Sequence, residues 1–150
     1  MKRSGLFRLI TLCALLGSAA MVYAVDYVSV GESSAILYDA PSLQGKKLFV
    51  INRYTPLEQV VTLDNWVKVR DRSGSLYWVE KRVLSNTRYL VALPPLLDVR
   101  AEPDAGAPRV FQVRQNVALE RVESTGTGWV KVRHRDGDTG YVRTSEVWGE

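Results

Sequence analysis

The stretch Trp66-Val67-Lys68-Val69-Arg70 stands again, letter for letter and 63 positions later, as Trp129-Val130-Lys131-Val132-Arg133. Each copy runs into a tight-turn signal and then an aromatic-valine step: Ser73-Gly74 leads to Trp78-Val79, and Asp136-Gly137 leads to Tyr141-Val142. What repeats is therefore a whole strand-turn-strand element, and the chain reads as two copies of one small unit. Side chains alternate across a strand, so Val67 and Val69 share one face while Trp66, Lys68 and Arg70 share the other; Val130 and Val132 divide from Trp129, Lys131 and Arg133 in the same way. The valines are expected to face a core, which leaves both tryptophans beside the stems of Lys and Arg. Asp136-Gly137 is expected to supply the positive φ angles of a two-residue hairpin turn, with Ser73-Gly74 as its weaker counterpart.

Outward from that element, the chain from Val25 on is a series of short Val-, Ile-, Leu- and aromatic-rich segments. Gly, Pro, Asn or Asp breaks them about every 8 to 12 residues, the rhythm of an all-β sandwich or barrel. The polar run Ser85-Asn86-Thr87-Arg88 marks the boundary, giving one unit over residues 25–85 and a second over 86–150. A linker of about four residues holds the two side by side.

The first residues are of another kind. Lys2, Arg3 and Arg8 precede a mostly apolar run from Leu9 to Met21, and Val22-Tyr23-Ala24 follows it with short side chains at its first and last positions, the three-part pattern of a secretory signal cleaved after Ala24. Residues 1–24 are thus expected to be a signal peptide helix, and the mature protein to be periplasmic or secreted. Three of the 20 Lys and Arg lie in that segment and no Asp or Glu does, leaving 17 basic against 16 acidic residues. A nearly neutral body lacks the clustered positive charge of a nucleic-acid binder. The single cysteine, Cys13, leaves with the signal, so disulfides, thiolate metal sites and cysteine catalysis are excluded from the rest.

Catalytic candidates are few. His134, the only histidine, lies between Arg133 and Arg135 near a hairpin tip, with no nucleophile at a recognisable spacing. Glu120 and Glu123, three apart on a strand, point to opposite faces, and Asp136 and Asp138 flank a turn glycine, so neither pair suits glycoside hydrolysis. Asp136-Gly137-Asp138 starts like a calcium loop, but Val147 stands where the bidentate Glu is required. No metal, cofactor or catalytic residue is expected. The basic stripe Lys131, Arg133, Arg135 and Arg143 is matched by acidic residues in the same copy and reads as a solvated face.

The Trp-x-Lys-Val strand, the glycine turn and the following aromatic-Val step resemble the signature of bacterial SH3-like domains. Leu97-Asp98-Val99-Arg100-Ala101-Glu102-Pro103 is similar to that family's opening strand and loop. Leu37-Tyr38-Asp39-Ala40-Pro41 keeps the proline but has Tyr38 in place of the arginine, and Tyr77 stands where the family has glycine. The resemblance covers residues 26–148. It implies two tandem small SH3-like barrels of about five antiparallel strands each, and a non-catalytic exported module of the kind attached to wall hydrolases and contacting peptidoglycan or its peptides.

Trp66, Trp78 and Tyr38 in the first copy, and Trp129, Tyr141 and Trp148 in the second, are more ring area than two such small units can hide. Trp129, Tyr141, Arg100, Trp66, Trp78 and Tyr38 are accordingly the candidate ligand-binding residues: rings for an extended peptide or a sugar face, Arg100 or Arg70 for a carboxylate. The competing reading has these rings completing undersized cores or filling the joint. The expected function is a non-enzymatic module binding a cell-envelope component, peptidoglycan or a peptide or protein partner, without nucleic acid and without a membrane once the signal is removed. The alternative is a structural protein-protein interaction subunit of the periplasm with no wall affinity.

Overall fold

A computed structural model describes residues 24–150; the expected signal peptide lies, but for Ala24, outside the described residues. The rest is all-β, with two single-turn 3-10 segments at Lys81–Val83 and Thr144–Glu146. The first copy contributes β1 (Asp26–Val30), β2 (Ser34–Tyr38), β3 (Lys47–Asn52), β4 (Pro56–Leu63), β5 (Trp66–Arg70), β6 (Leu76–Glu80) and β7 (Leu84–Ser85). The second contributes β8 (Tyr89–Ala92), β9 (Leu96–Arg100), β10 (Arg109–Arg114), β11 (Ala118–Ser124), β12 (Trp129–Arg133), β13 (Thr139–Arg143) and β14 (Val147–Trp148).

Each copy forms one antiparallel seven-stranded sheet, in the order β3-β2-β6-β5-β4-β1-β7 and its equivalent β10-β9-β13-β12-β11-β8-β14. The count exceeds the expected five because the opening strand and a two-residue closing strand add themselves at one end. Those two-residue strands carry too few side chains to show a periodicity in sequence.

The valine alternation holds. Val67, Val69, Val130 and Val132 are buried, and each sheet wraps its own apolar cluster. Leu37, Leu57 and Val79 complete the first, while Leu97, Leu119 and Val142 complete the second. The two copies correspond strand for strand in order and register, with one residue inserted in the β11–β12 loop. Leu63 pairs with Trp66 across Asp64-Asn65, whereas Gly126-Thr127-Gly128 spans the same place and Thr125 N–H donates to the Trp129 carbonyl at 3.1 Å.

The β12–β13 hairpin differs from expectation. His134 N–H donates to Asp138 C=O at 2.8 Å and Gly137 N–H to His134 C=O at 2.9 Å, so the loop has three residues, and Gly137 alone takes a positive φ, of 99°. The last backbone pair closes one step further in than a two-residue turn allows. The β5–β6 hairpin repeats the geometry, with Gly74 at φ 89° and the Asp71 carboxylate accepting from the backbone N–H groups of Ser73 and Ser75.

The copies meet through side chains that the polar linker does not announce. Tyr54 stacks on Tyr89 (centroids 4.3 Å apart), and Tyr27 meets Trp148 edge-on at 5.3 Å. The buried Ser29 hydroxyl accepts from Tyr89 N–H at 3.1 Å, and Arg88 lies over the Tyr27 ring while donating to the Gly149 carbonyl. A Cβ on Gly149, at φ 110°, would sit 2.8 Å from the Tyr89 carbonyl oxygen and 3.0 Å from Pro56 of the first copy. Burial raises the pKa of both Tyr27 and Tyr89, with the Glu58 charge adding to the first and Tyr54 to the second. Burial and then the neighbouring Arg121 charge lower that of Arg88.

Candidate functional site

The face of each sheet turned away from its valines gathers the candidate residues into cross-strand rows. In the first copy the register runs Val61–Lys68–Trp78–Tyr38 over β4, β5, β6 and β2. In the second it runs Glu123–Lys131–Tyr141–Arg100 over β11, β12, β13 and β9. Two residues along the strands, on the same face, lie Leu63–Trp66–Glu80 and, in the second copy, Trp129–Arg143. All six candidates therefore fall on these two faces, three on each.

Their availability differs. Tyr38, 2% exposed, packs edge-on against Trp66 at 5.2 Å, which places its ring in the packing of the first copy. Trp66 and Trp78 are half-buried, and Lys68 Nζ sits 5.7 Å from the Trp78 centroid. Trp129 is 8% exposed because the Arg143 guanidinium lies over its ring at 4.8 Å. Tyr141 is half-buried, with Lys131 Nζ at 5.9 Å. Arg70 is committed to Glu58 at 2.7 Å.

Arg100 holds the place that Tyr38 holds in the first copy. Its guanidinium donates to the Ala107 carbonyl at 2.8 Å and stands 3.6 Å from Asp98. A hydrogen bond from Gln112, aided by Arg109 and Arg100, lowers the Asp98 pKa below the usual carboxylate range. With an arginine where the other copy has a ring, a groove of about 240 Å³ opens over Asp98, Arg100, Trp129, Arg143 and Glu146. Arg143 forms no ion pair among the described residues. The groove thus offers one unpaired cation on an indole face and a second, partly satisfied cation beside it, a combination that takes a carboxylate next to a flat apolar group.

A larger cavity, about 520 Å³, lies at the joint, lined by the Tyr54–Tyr89 stack, Glu120, Arg133 and His134. Arg133 is paired with Glu120, and His134 Nδ1 lies 3.1 Å from Asp136. Tyr54 and Tyr89 are not among the residues that the sequence singles out. The signal available in the sequence is a tyrosine in the turn Asn52-Arg53-Tyr54-Thr55 where the second copy has Asn116; in the structure they adopt φ 69° and 66°. Asparagine tolerates that conformation and tyrosine does not, so a ring there has its cost offset by a contact. Among the described residues no three His, Cys, Asp or Glu side chains cluster to hold a metal ion.

The family model for the bacterial SH3 domain matches the chain twice, over residues 31–86 and 94–149. The chain belongs to the bacterial SH3 domain family. No curated protein matches this tandem SH3 chain. Among solved structures, NlpC1 from Trichomonas vaginalis is 15% identical with a TM-score of 0.39, the match covering 91% of this chain and 50% of that one. NlpC2 from the same organism is 14% identical at 0.39, covering 85% and 49%. An NlpC/P60 family protein from Bacillus cereus is 14% identical at 0.38, covering 81% and 55%. The tandem SH3 chain spans about half the length of each of these structures.

Proposed function

We propose that this protein is an exported, non-catalytic tandem SH3 module that binds a cell-envelope component, peptidoglycan or its stem peptides, and that the second copy carries the site. Family membership supports the module class. The observation that carries the choice of copy is the unpaired Arg143 guanidinium on the Trp129 ring, at the edge of a groove that Arg100 keeps open. Wall peptides present carboxylates along a short extended backbone, and that groove meets them with cations over a ring. Tyr141 and Lys131 extend the same face, and the half-buried Trp66 and Trp78 offer the first copy a weaker platform.

The test is co-sedimentation of the purified protein with insoluble peptidoglycan. Retention is expected at low salt. Arg143→Glu, at an exposed side chain, is expected to reduce it by about tenfold, the scale of one charge-assisted contact reversed, and a urea titration of the same variant checks that uncovering Trp129 has not unfolded the second copy. Retention equal to that of the unsubstituted protein would remove the groove from the reading, and no retention at any salt would remove wall binding. The alternative, a periplasmic protein-protein interaction subunit, is favoured by the apolar surface of the first copy, where Val50, Val61, Leu63 and Leu76 are exposed.

A further inference from the structure

We infer that the groove of the second copy selects a zwitterion: an amino-acid centre whose carboxylate meets Arg143 and whose free ammonium meets Glu146. The inference rests on wall binding by that groove and names the group that it takes. Of the four charged side chains on the lining, two are already engaged. Asp98 accepts from Gln112 and lies 3.5 Å from Arg109, while Arg100 donates to the Ala107 carbonyl. Arg143 and Glu146 are not engaged. Among the described residues neither forms an ion pair, with the other or with any third side chain, and neither side chain makes a hydrogen bond.

Arg143 rests its guanidinium on the Trp129 ring. Stacking of this kind uses the face of the group, and its N–H donors lie in the plane, so they stay free for the two oxygens of a carboxylate. Glu146 is half-buried, and an ionised carboxylate only accepts, so it asks the ligand for a donor and gains most from a charged one. Two cations and two anions leave the lining neutral. Opposite charges that share one cleft of about 240 Å³ without closing on each other suit a ligand that carries both charges itself.

The backbone fixes the spacing of the two groups, and the first copy shows that the fold does not demand them. They bracket the 3-10 turn Thr144–Glu146, in which Thr144 N–H donates to Gly128 C=O at 3.0 Å and Glu146 C=O accepts from Leu93 N–H at 2.9 Å. The first copy builds the same turn, Lys81–Val83, on the same two anchors: Lys81 N–H donates to Asn65 C=O at 2.8 Å and Gly31 N–H to Val83 C=O at 2.9 Å. There Glu80 replaces Arg143 and is held by Arg82 at 2.8 Å, and a buried Val83 replaces Glu146. The turn therefore forms without an acid at its end.

In a wall peptide each amide bond consumes an amine and an acid, so both groups survive together only at a centre that is still uncoupled. A cross-link through that amine would leave Glu146 facing a neutral amide. The groove thus prefers uncross-linked peptide.

The experiment is co-sedimentation of the full chain with insoluble peptidoglycan, before and after its free amines are acetylated with acetic anhydride. Acetylation removes the ammonium and spares every carboxylate, and is expected to lower retention by about tenfold, the scale of one charge-assisted contact. Glu146→Gln is expected to lower retention on the untreated wall to a similar degree and to make no further difference on the acetylated one, with its urea midpoint reporting the fold. The sign is decisive: were the ligand only an anion, removing the negative charge of Glu146 would strengthen binding. Retention of the unsubstituted protein that ignores acetylation, or a folded Glu146→Gln variant that binds the untreated wall as tightly or more tightly, overturns the zwitterion and leaves carboxylate binding at Arg143 standing. A protein that never sediments with the wall overturns wall binding itself, and this inference with it.

Discussion

The outward face of the first copy reads Val61–Lys68–Trp78–Tyr38, and that of the second Glu123–Lys131–Tyr141–Arg100, on frameworks that agree strand for strand. Behind those faces the two cores share Val67 with Val130, Val69 with Val132, Val79 with Val142 and Leu57 with Leu119 at matching places. The difference teaches that the central strand of the repeat is kept on both faces, while its outward neighbours on β2 and β6, and their counterparts β9 and β13, decide what that face can do. In the first copy a tyrosine closes over Trp66 and the surface turns apolar. In the second an arginine in the tyrosine's place leaves a charged groove beside Trp129.

The largest expected effect comes from exchanging one residue across that comparison. A Cβ on Gly140 would lie 2.6 Å from both the Arg100 carbonyl oxygen and Val99 Cγ1, while the first copy accommodates Tyr77 at the same place, its ring against Phe49. Gly140→Tyr should destabilise the second copy by about 3 kcal/mol or more, whereas Tyr77→Gly should lower the first by only ~1–2 kcal/mol, from the lost ring contact and the flexible strand residue. Urea unfolding followed by tryptophan fluorescence measures both, and the reverse ranking would break the equivalence of the two frameworks.

The tryptophans of the repeated stretch come next. Trp129→Ala empties a buried site and should cost ~3–4 kcal/mol; Trp66→Ala, at a half-buried ring, should cost less in the same titration. Loss of wall retention in a Trp129 variant would therefore report unfolding as readily as lost contact, which is why exposed Arg143 is the better probe.

The joint supplies a smaller, pH-dependent effect. Burial holds the Tyr27 and Tyr89 pKa values above their ordinary value, so their neutral forms contribute stability that is complete below pH 10 and disappears as pH rises through the raised values. Hydrogen exchange at Tyr89 N–H, which donates to Ser29 across the joint, should accelerate above pH 10 beyond its intrinsic rate, and Tyr89→Ala should produce the same acceleration at neutral pH. Protection unchanged in both cases would mean that the stack does not hold the copies together.

The smallest effect is at acid pH and belongs to one copy. The depressed Asp98 pKa contributes stability above the ordinary carboxylate value that is lost as pH falls through the lowered one. Ile36 stands at the matching position of the first copy. Asp98→Asn should flatten the acid limb of the second copy's unfolding below about pH 4 and leave the first untouched; because Asp98 is well solvated, the change should be slight.

The alternation of Val67-Lys68-Val69 was legible because side-chain direction in a strand is a local property, and the same reasoning located most strands and the two tandem copies. The burial of Trp129 was not legible. It sits on the outward face as alternation requires, but it is covered by Arg143 from the next strand, and that neighbour is known only once register is known. The joint escaped for the same reason: the turn that holds Tyr54 and Pro56 lies far along the chain from Tyr89 and from Gly149, and no local pattern brings the three together. The hairpin at Gly137 was found in place but one residue too tight, since the turn residues do not say how far the ladder closes.

What the sequence determined by itself was the inward half of this protein: a period-two pattern, written twice, places the valines against a core whatever the remaining side chains do, because covalent geometry sets the direction of each. The tertiary structure alone decided which outward residues became neighbours, and so where a ring is covered and where a groove opens between Arg100 and Arg143. Those outcomes depend on strand register and on the meeting of distant turns, which are set by packing between segments and not by any segment alone.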